Sequence, residues 1–160
     1  MSKIYIAYGS NLNKEQMAYR CPTARFLGTG VIEDYELQFK GSLHSAFATI
    51  APKAGSQVPV GLWEIQSRDE KRLDLYEGYP KHYFKQDVDV QVNGMKVRGM
   101  AYIMDLKMDF GNPTQYYYDT VFQGYQDCGL DVNVLNWAVD ESMDKAALRS
   151  QQERFGMHMI

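Results

Sequence analysis

Cysteine and histidine are scarce in this chain of 160 residues, with two of the first and three of the second. Cys21 and Cys128 form no C-x-x-C pair and sit in no nucleophile signature, and His44, His82 and His158 lie too far apart for metal-ligand spacing. Composition therefore argues against a metal centre and against thiol catalysis, and two isolated thiols suit a reducing compartment better than a disulfide scaffold. Long apolar runs are missing as well: none approaches the ~18 residues of a membrane-spanning helix. The opening segment carries Lys3 and only a short apolar stretch, so it reads as a strand and not as a secretion signal. Basic excess is also lacking, with 17 Lys and Arg against 20 Asp and Glu. A pI near 5.6 is the wrong balance for a protein that neutralises phosphates. These absences lead to the expectation of a cytoplasmic protein with neither nucleic acid nor membrane as a partner.

What is present is an ordinary globular balance, 45% hydrophobic and 23% charged, with an unusual twelve tyrosines. A chain of this length buries roughly two-thirds of its unfolded surface and needs no staple to fold. No repeat, low-complexity tract or Gly/Ser/Pro-rich linker divides it. One domain over residues 1–160 is the expectation, with a tail at 154–160 that carries no cap and frays.

Turn and cap signals set the element order. Lys3–Tyr8 reads as a strand ending at Gly9, and Asn13 with Gln16 three residues on opens a helix that ends by Cys21, before Pro22. Arg25–Phe39, Ser45–Ala51 and Val60–Ile65 read as strands. Ser67 and Glu70 form a capping-box pattern for a helix over Arg68–Tyr76, stopped by Gly78 and Pro80. Tyr83–Val92 and Val97–Met104 are strands joined by the hairpin signal Asn93-Gly94. Asn112 as N-cap with Pro113 at the first helical position begins a helix over Pro113–Cys128, and a last helix covers Val132–Met143. Strands that do not alternate with long helices favour an α+β fold: a small mixed or antiparallel β-barrel flanked by helices.

Two segments can carry chemistry. In Tyr8-Gly-Ser-Asn-Leu12 a strand runs into a polar turn and a helix, exposing successive backbone N–H groups that suit a carboxylate or a developing oxyanion. Taken alone it also fits an ordinary strand–helix turn in which Ser10 or Asn11 caps. In Leu73-Asp-Leu-Tyr-Glu77-Gly-Tyr-Pro80 a glutamate stands where a helix ends, with Tyr76, Tyr79 and Tyr83 close in sequence. Enclosure by those rings raises its pKa and suits it to proton transfer near neutrality; without enclosure it is a solvated turn residue. His82 reads as a surface residue beside that turn. Tyr116-Tyr-Tyr118 directs three rings around a helix, which suits core packing plus an interface, and it motivates a possible homodimer.

In order, these segments resemble the γ-glutamylcyclotransferase family. The resemblance rests on Tyr8-Gly-Ser-Asn-Leu12 and on Leu73-Asp-x-x-Glu77-Gly about sixty-five residues later. It extends through Ala48-Thr-Ile50, Gly61, Tyr83, Tyr102, Asn112-Pro-Thr-x-x-Tyr117, Gly124 and the Cys128-Gly-Leu-Asp turn, spanning about residues 3–140. It implies a barrel with a pocket at one end of the strands and a cofactor-free, metal-free reaction. In that reaction the α-amine of a γ-glutamyl substrate attacks its own γ-carbonyl, giving 5-oxoproline and a free amine or amino acid. Glu77 is then the general base and acid. Tyr8, Gly9, Ser10, Asn11 and Leu12 cradle the glutamyl group, and Tyr83, Tyr102 and Tyr117 line the pocket. The Gly78-Tyr-Pro80 connection is similar to γ-glutamylamine cyclotransferases, whereas Gly9-Ser-Asn-Leu12 is similar to the γ-glutamyl-amino-acid branch, so both substrate classes stand. A binding module that keeps the pocket without turnover is the alternative from another class.

Overall fold

The computed structural model describes residues 2–159, with side chains described for 2–156. Strand β1 (Ser2–Ala7) leads through a single 3-10 turn (Ser10–Leu12) to helix α1 (Lys14–Arg20). Two long strands follow, β2 (Arg25–Ser42) and β3 (Ser45–Gln66), then helix α2 (Ser67–Glu77). The hairpin of β4 (Phe84–Val92) and β5 (Met95–Ile103) precedes helices α3 (Gln115–Asp127) and α4 (Val132–Met159). The strands close into a barrel in the order β1-β3-β2-β4-β5. All pairings are antiparallel except β1 with β5, which meet in parallel at Tyr5 and Met100. The expected α+β barrel is therefore the observed one.

Period-two patterning drives closure. In β4, Val88 and Val90 turn inward and are buried while Asp87 and Asp89 stay exposed. Ile6, Ile32, Phe39, Ile50, Val58, Val60 and Ile65 fill the core from β1, β2 and β3, each burial worth roughly 1.5–3 kcal/mol. The Asn93-Gly94 turn has positive φ at both residues, 50° and 79°, as a two-residue hairpin needs. Gly124 brings α3 against the Ser10–Leu12 turn: a Cβ there would lie 2.6 Å from the Asn13 backbone nitrogen.

Several boundaries differ from the sequence reading. The strands expected over Ser45–Ala51 and Val60–Ile65 are one strand, because the irregularity near Pro52 is absorbed across the ladder. Residues 53–56 bulge out of β3 opposite the single residue Asp34 of β2, which has φ 60° and accepts a 2.9 Å hydrogen bond from Gly55 N–H. The capping box of α2 sits one residue upstream, with Asp69 Oδ2 accepting from Gln66 N–H at 2.8 Å. Glu70 is engaged elsewhere, by Lys3 and Lys85 at 2.9 and 2.7 Å. Helix α3 starts after Pro113, capped by Thr114, because the Asn112 backbone is committed to the β2–β3 tip through Leu43 O and Ala46 N–H. Helix α4 runs well past Met143, since Ser142 Oγ accepts Phe39 N–H at 3.0 Å and Ala146 packs in the interior. Small residues continue its buried face and hide the apolar period. The tail expected to fray from Arg154 continues as helix to Met159; Ile160 and the side chains of 157–160 lie outside the described residues. Asn13 caps α1 as expected, accepting from Gln16 N–H at 3.0 Å. Among the described residues no helix is long and apolar enough to cross a membrane.

Candidate active site

A cavity of about 820 Å³ opens at the end of β1 where three other segments converge: the C-terminus of α2, the β2–β3 tip and the start of α3. Its floor comes from the turn after β1. Leu12 N–H to Gly9 O and Asn13 N–H to Ser10 O close that turn at 3.0 Å each, which leaves the N–H groups of Gly9, Ser10 and Asn11 unused within it. Side chains lock the turn from below. Asn11 Nδ2 donates to Tyr5 Oη at 2.8 Å, Arg20 donates to Asn11 Oδ1, and Trp63 Nε1 donates to Asn11 O at 3.1 Å. Gly9 leaves space that a side chain would fill: a Cβ there would lie 3.1 Å from Ala48 Cβ and 3.2 Å from Tyr117 Oη.

Glu77 is the last residue of α2. Gly78 follows in the left-handed conformation at φ 68°, and Tyr79 N–H reaches back to Asp74 O at 2.9 Å while Gly78 N–H reaches Leu75 O at 3.3 Å. This Schellman closure ends the helix sharply and presents Glu77 to the cavity. Burial pushes the carboxyl up from 4.5 to about 7, and the Arg20 guanidinium pulls the other way. Arg20 is held there by its stack on Tyr76, 3.4 Å from the ring centroid, and Tyr76 Oη lies 2.8 Å from Ser10 Oγ.

Six tyrosines line the cavity: Tyr5, Tyr8, Tyr76, Tyr83, Tyr102 and Tyr117. Burial, and next to it the Glu77 charge, pushes the phenols of Tyr5 and Tyr8 well up, and burial does the same to Tyr83 and Tyr117. They stay neutral at physiological pH and act as hydrogen-bonding walls. Tyr8 Oη donates to Tyr102 O. Tyr83 Oη donates to Ala48 O at 2.9 Å, and Tyr117 Oη accepts Ala48 N–H at 3.1 Å. Tyr102 Oη donates to Asp74 Oδ1 at 2.6 Å, and Asp74 is paired with Lys85 at 3.0 Å.

The sequence-expected residues Glu77, Tyr8, Gly9, Ser10, Asn11, Tyr83, Tyr102 and Tyr117 all come to this one cavity. Leu12 does not: it is fully buried under the turn, where its side chain packs against Gly61 and the α3 backbone at Gly124. Tyr79 stands outside the wall, edge-on to Tyr102 at 6.4 Å. His82, expected at the surface beside the turn, is exposed but lines the mouth, folded over Gly78. Tyr76, read from the sequence as one of the rings near Glu77, belongs to the wall, and so does Tyr5, which the sequence reading left out of the site. Tyr5 shares a strand face with Ala7 and Gly9 by period two, a signal available in the sequence. Arg20 has no such signal, because its place depends on α1 folding back to Tyr76.

A family model described as gamma-glutamyl cyclotransferase, AIG2-like, matches residues 5–120. The chain is 27% identical over 139 residues to the gamma-glutamylcyclotransferase of Homo sapiens, an alignment covering 81% of this chain and 73% of that relative. To the Bos taurus protein of the same name it is 28% identical over 138 residues, with the same shares of 81% and 73%. A solved structure named gamma-glutamyl cyclotransferase superposes with a TM-score of 0.79 at 26% identity, covering 86% of each chain.

Proposed function

Because the chain belongs to the gamma-glutamyl cyclotransferase, AIG2-like family, we propose that it cyclises a γ-glutamyl amino acid or γ-glutamylamine to 5-oxoproline, with Glu77 carrying the protons. The observation that supports this most is the Glu77 carboxyl, pushed up to about 7 by burial, lining the same cavity as the Gly9–Asn11 turn.

The chemistry asks for little else. Nucleophile and electrophile belong to one substrate, so folding it into attack geometry supplies much of the acceleration, roughly 7–11 kcal/mol in favourable cases. Glu77 as carboxylate takes a proton from the α-nitrogen, which then bonds to the γ-carbonyl carbon. The tetrahedral intermediate collapses by breaking the original amide C–N bond, and protonated Glu77 returns a proton to the departing nitrogen. A carboxyl with pKa near 7 is suited to both roles at neutral pH. The Gly9–Asn11 N–H groups serve the substrate α-carboxylate or the oxyanion, and the neutral phenols of Tyr8, Tyr83, Tyr102 and Tyr117 frame the glutamyl chain.

The test is a panel of γ-glutamyl amino acids and amines assayed for 5-oxoproline, with Glu77→Gln beside the wild type. Product from the wild type and a loss of at least about a thousandfold in the variant supports the reading. Equal rates in the two proteins remove Glu77 from the chemistry.

A further inference from the structure

The cavity is larger than a glutamyl group fills. A volume of about 820 Å³ lies in the range that encloses a drug-sized molecule. Glu77 and the Gly9–Asn11 turn stand at one end, and its outer half carries the exposed Phe47, Leu75 and Met108, with Met104 buried behind them, beside the exposed polar side chains of Ser42, Ser45, Lys81, His82 and Asp105. We propose that this outer half selects γ-glutamyl conjugates whose departing nitrogen carries a large apolar group. The inference rests on the cyclisation reading above.

Four observations carry it. Phe47, Leu75 and Met108 are large side chains left 44%, 85% and 42% exposed, yet they come from β3, α2 and the β5–α3 connection to one cavity. Convergence of exposed apolar groups on a concave site marks a ligand surface. Phe47 lies edge-on to Tyr117 with ring centroids 5.0 Å apart, so the apolar wall begins where the hydrogen-bonding end stops. The connection that presents Met104 and Met108 is pinned in place. Thr49 Oγ1 accepts Met104 N–H at 2.9 Å, Lys40 Nζ donates to Leu106 O at 3.2 Å, and Gly41 N–H donates to Asp109 O at 2.9 Å. A fixed backbone bearing thioethers gives a preformed wall that still adapts to ring or branched shapes. Finally, the charged side chains at the mouth, Lys81 and Asp105, are of opposite sign and exposed, so they offer a charged acceptor no net attraction.

The experiment compares kcat/KM of the wild-type protein for γ-glutamyl-phenylalanine, γ-glutamyl-leucine, γ-glutamyl-glycine and γ-glutamyl-phenethylamine. The expected result is a preference of about tenfold or more for the phenylalanine and leucine conjugates over the glycine one. A phenethylamine conjugate matching phenylalanine identifies the apolar group alone as the recognised feature; one that falls below it makes an apolar amino acid the source. Leu75→Ser and Met108→Ser each narrow the phenylalanine-to-glycine ratio at least about threefold. Both side chains are exposed, so either variant suffices if the other folds poorly. Glycine and phenylalanine conjugates cyclised equally well overturn the inference and leave the Glu77 chemistry standing. No 5-oxoproline from any conjugate overturns both.

Discussion

The Tyr102 hydroxyl donates to Asp74 Oδ1 across 2.6 Å and so ties β5 to α2 one turn before Glu77. The backbone carbonyl of Tyr102 meanwhile receives the Tyr8 phenol. Asp74 therefore holds the Tyr102 phenol directly, and Lys85 fixes that carboxylate in turn by bridging Asp74 and Glu70. Hydrogen bonds to charged groups contribute about 1.5–3 kcal/mol. Asp74→Ala and Tyr102→Phe are each expected to lower kcat/KM about tenfold. The double variant is expected to lose little more than either single one, as a double-mutant cycle on 5-oxoproline formation will read.

Glu77 links activity to pH. Its carboxyl titrates near 7 in the folded protein and near 4.5 when unfolded. Between those values the folded state binds more protons than the unfolded one, so this group makes stability fall as pH rises through that window. The Glu77→Gln variant removes this half-buried charge. Its Tm is expected to exceed that of the wild type at pH 8 and to match it near pH 4, which thermal melts across that range will check. In the wild type, kcat/KM rises with pH up to about 7 and then levels.

Arg20 is the cation that acts on Glu77, and it pulls the carboxyl down against burial. Arg20→Gln is expected to move the acid limb of the kcat/KM profile to higher pH. It also removes the stack on Tyr76 and the bond to Asn11, so KM for the substrate rises as well. A full pH profile of the variant separates the two effects; an unmoved limb would falsify the electrostatic role.

Gly9→Ala is the sharpest probe of the turn. The added methyl meets Ala48 Cβ at 3.1 Å, a rigid strand atom, and Tyr117 Oη at 3.2 Å. The expected stability loss is about 1–3 kcal/mol, typical of overpacking, with at least a tenfold fall in kcat/KM because the N–H groups are displaced. Denaturant melts and initial rates on the same preparation separate the two.

The site was legible where chemistry travels with chain order, and obscure where it depends on folding back. Glu77 announces itself through the helix stop at Gly78, and Gly9 through the strand end, because both are local backbone events. Leu12 is adjacent to the turn in sequence yet points away from it, since one 3-10 turn is enough to swing its side chain under α3. Tyr5 was within reach, since it shares a strand face with Ala7 and Gly9, whereas Arg20 comes to the site only through tertiary contacts that no spacing encodes. The barrel was readable from its short strands and hairpin signal. The unbroken run of β3 was not, because Pro52 and Gly55 look like breakers, and only the bond from Gly55 to Asp34 carries the bulged residues 53–56 along the ladder.

Ala48 has a role that its small side chain conceals. Its N–H is bonded to Tyr117 and its carbonyl to Tyr83, so two cavity phenols hang from the same residue of main chain. They are geared together: any slide or twist of β3 carries both rings at once, and neither can retune independently. A side-chain scan at position 48 would pass over this linkage. An insertion or deletion at the β2–β3 tip would expose it, by shifting the two rings in concert while leaving every named side chain intact.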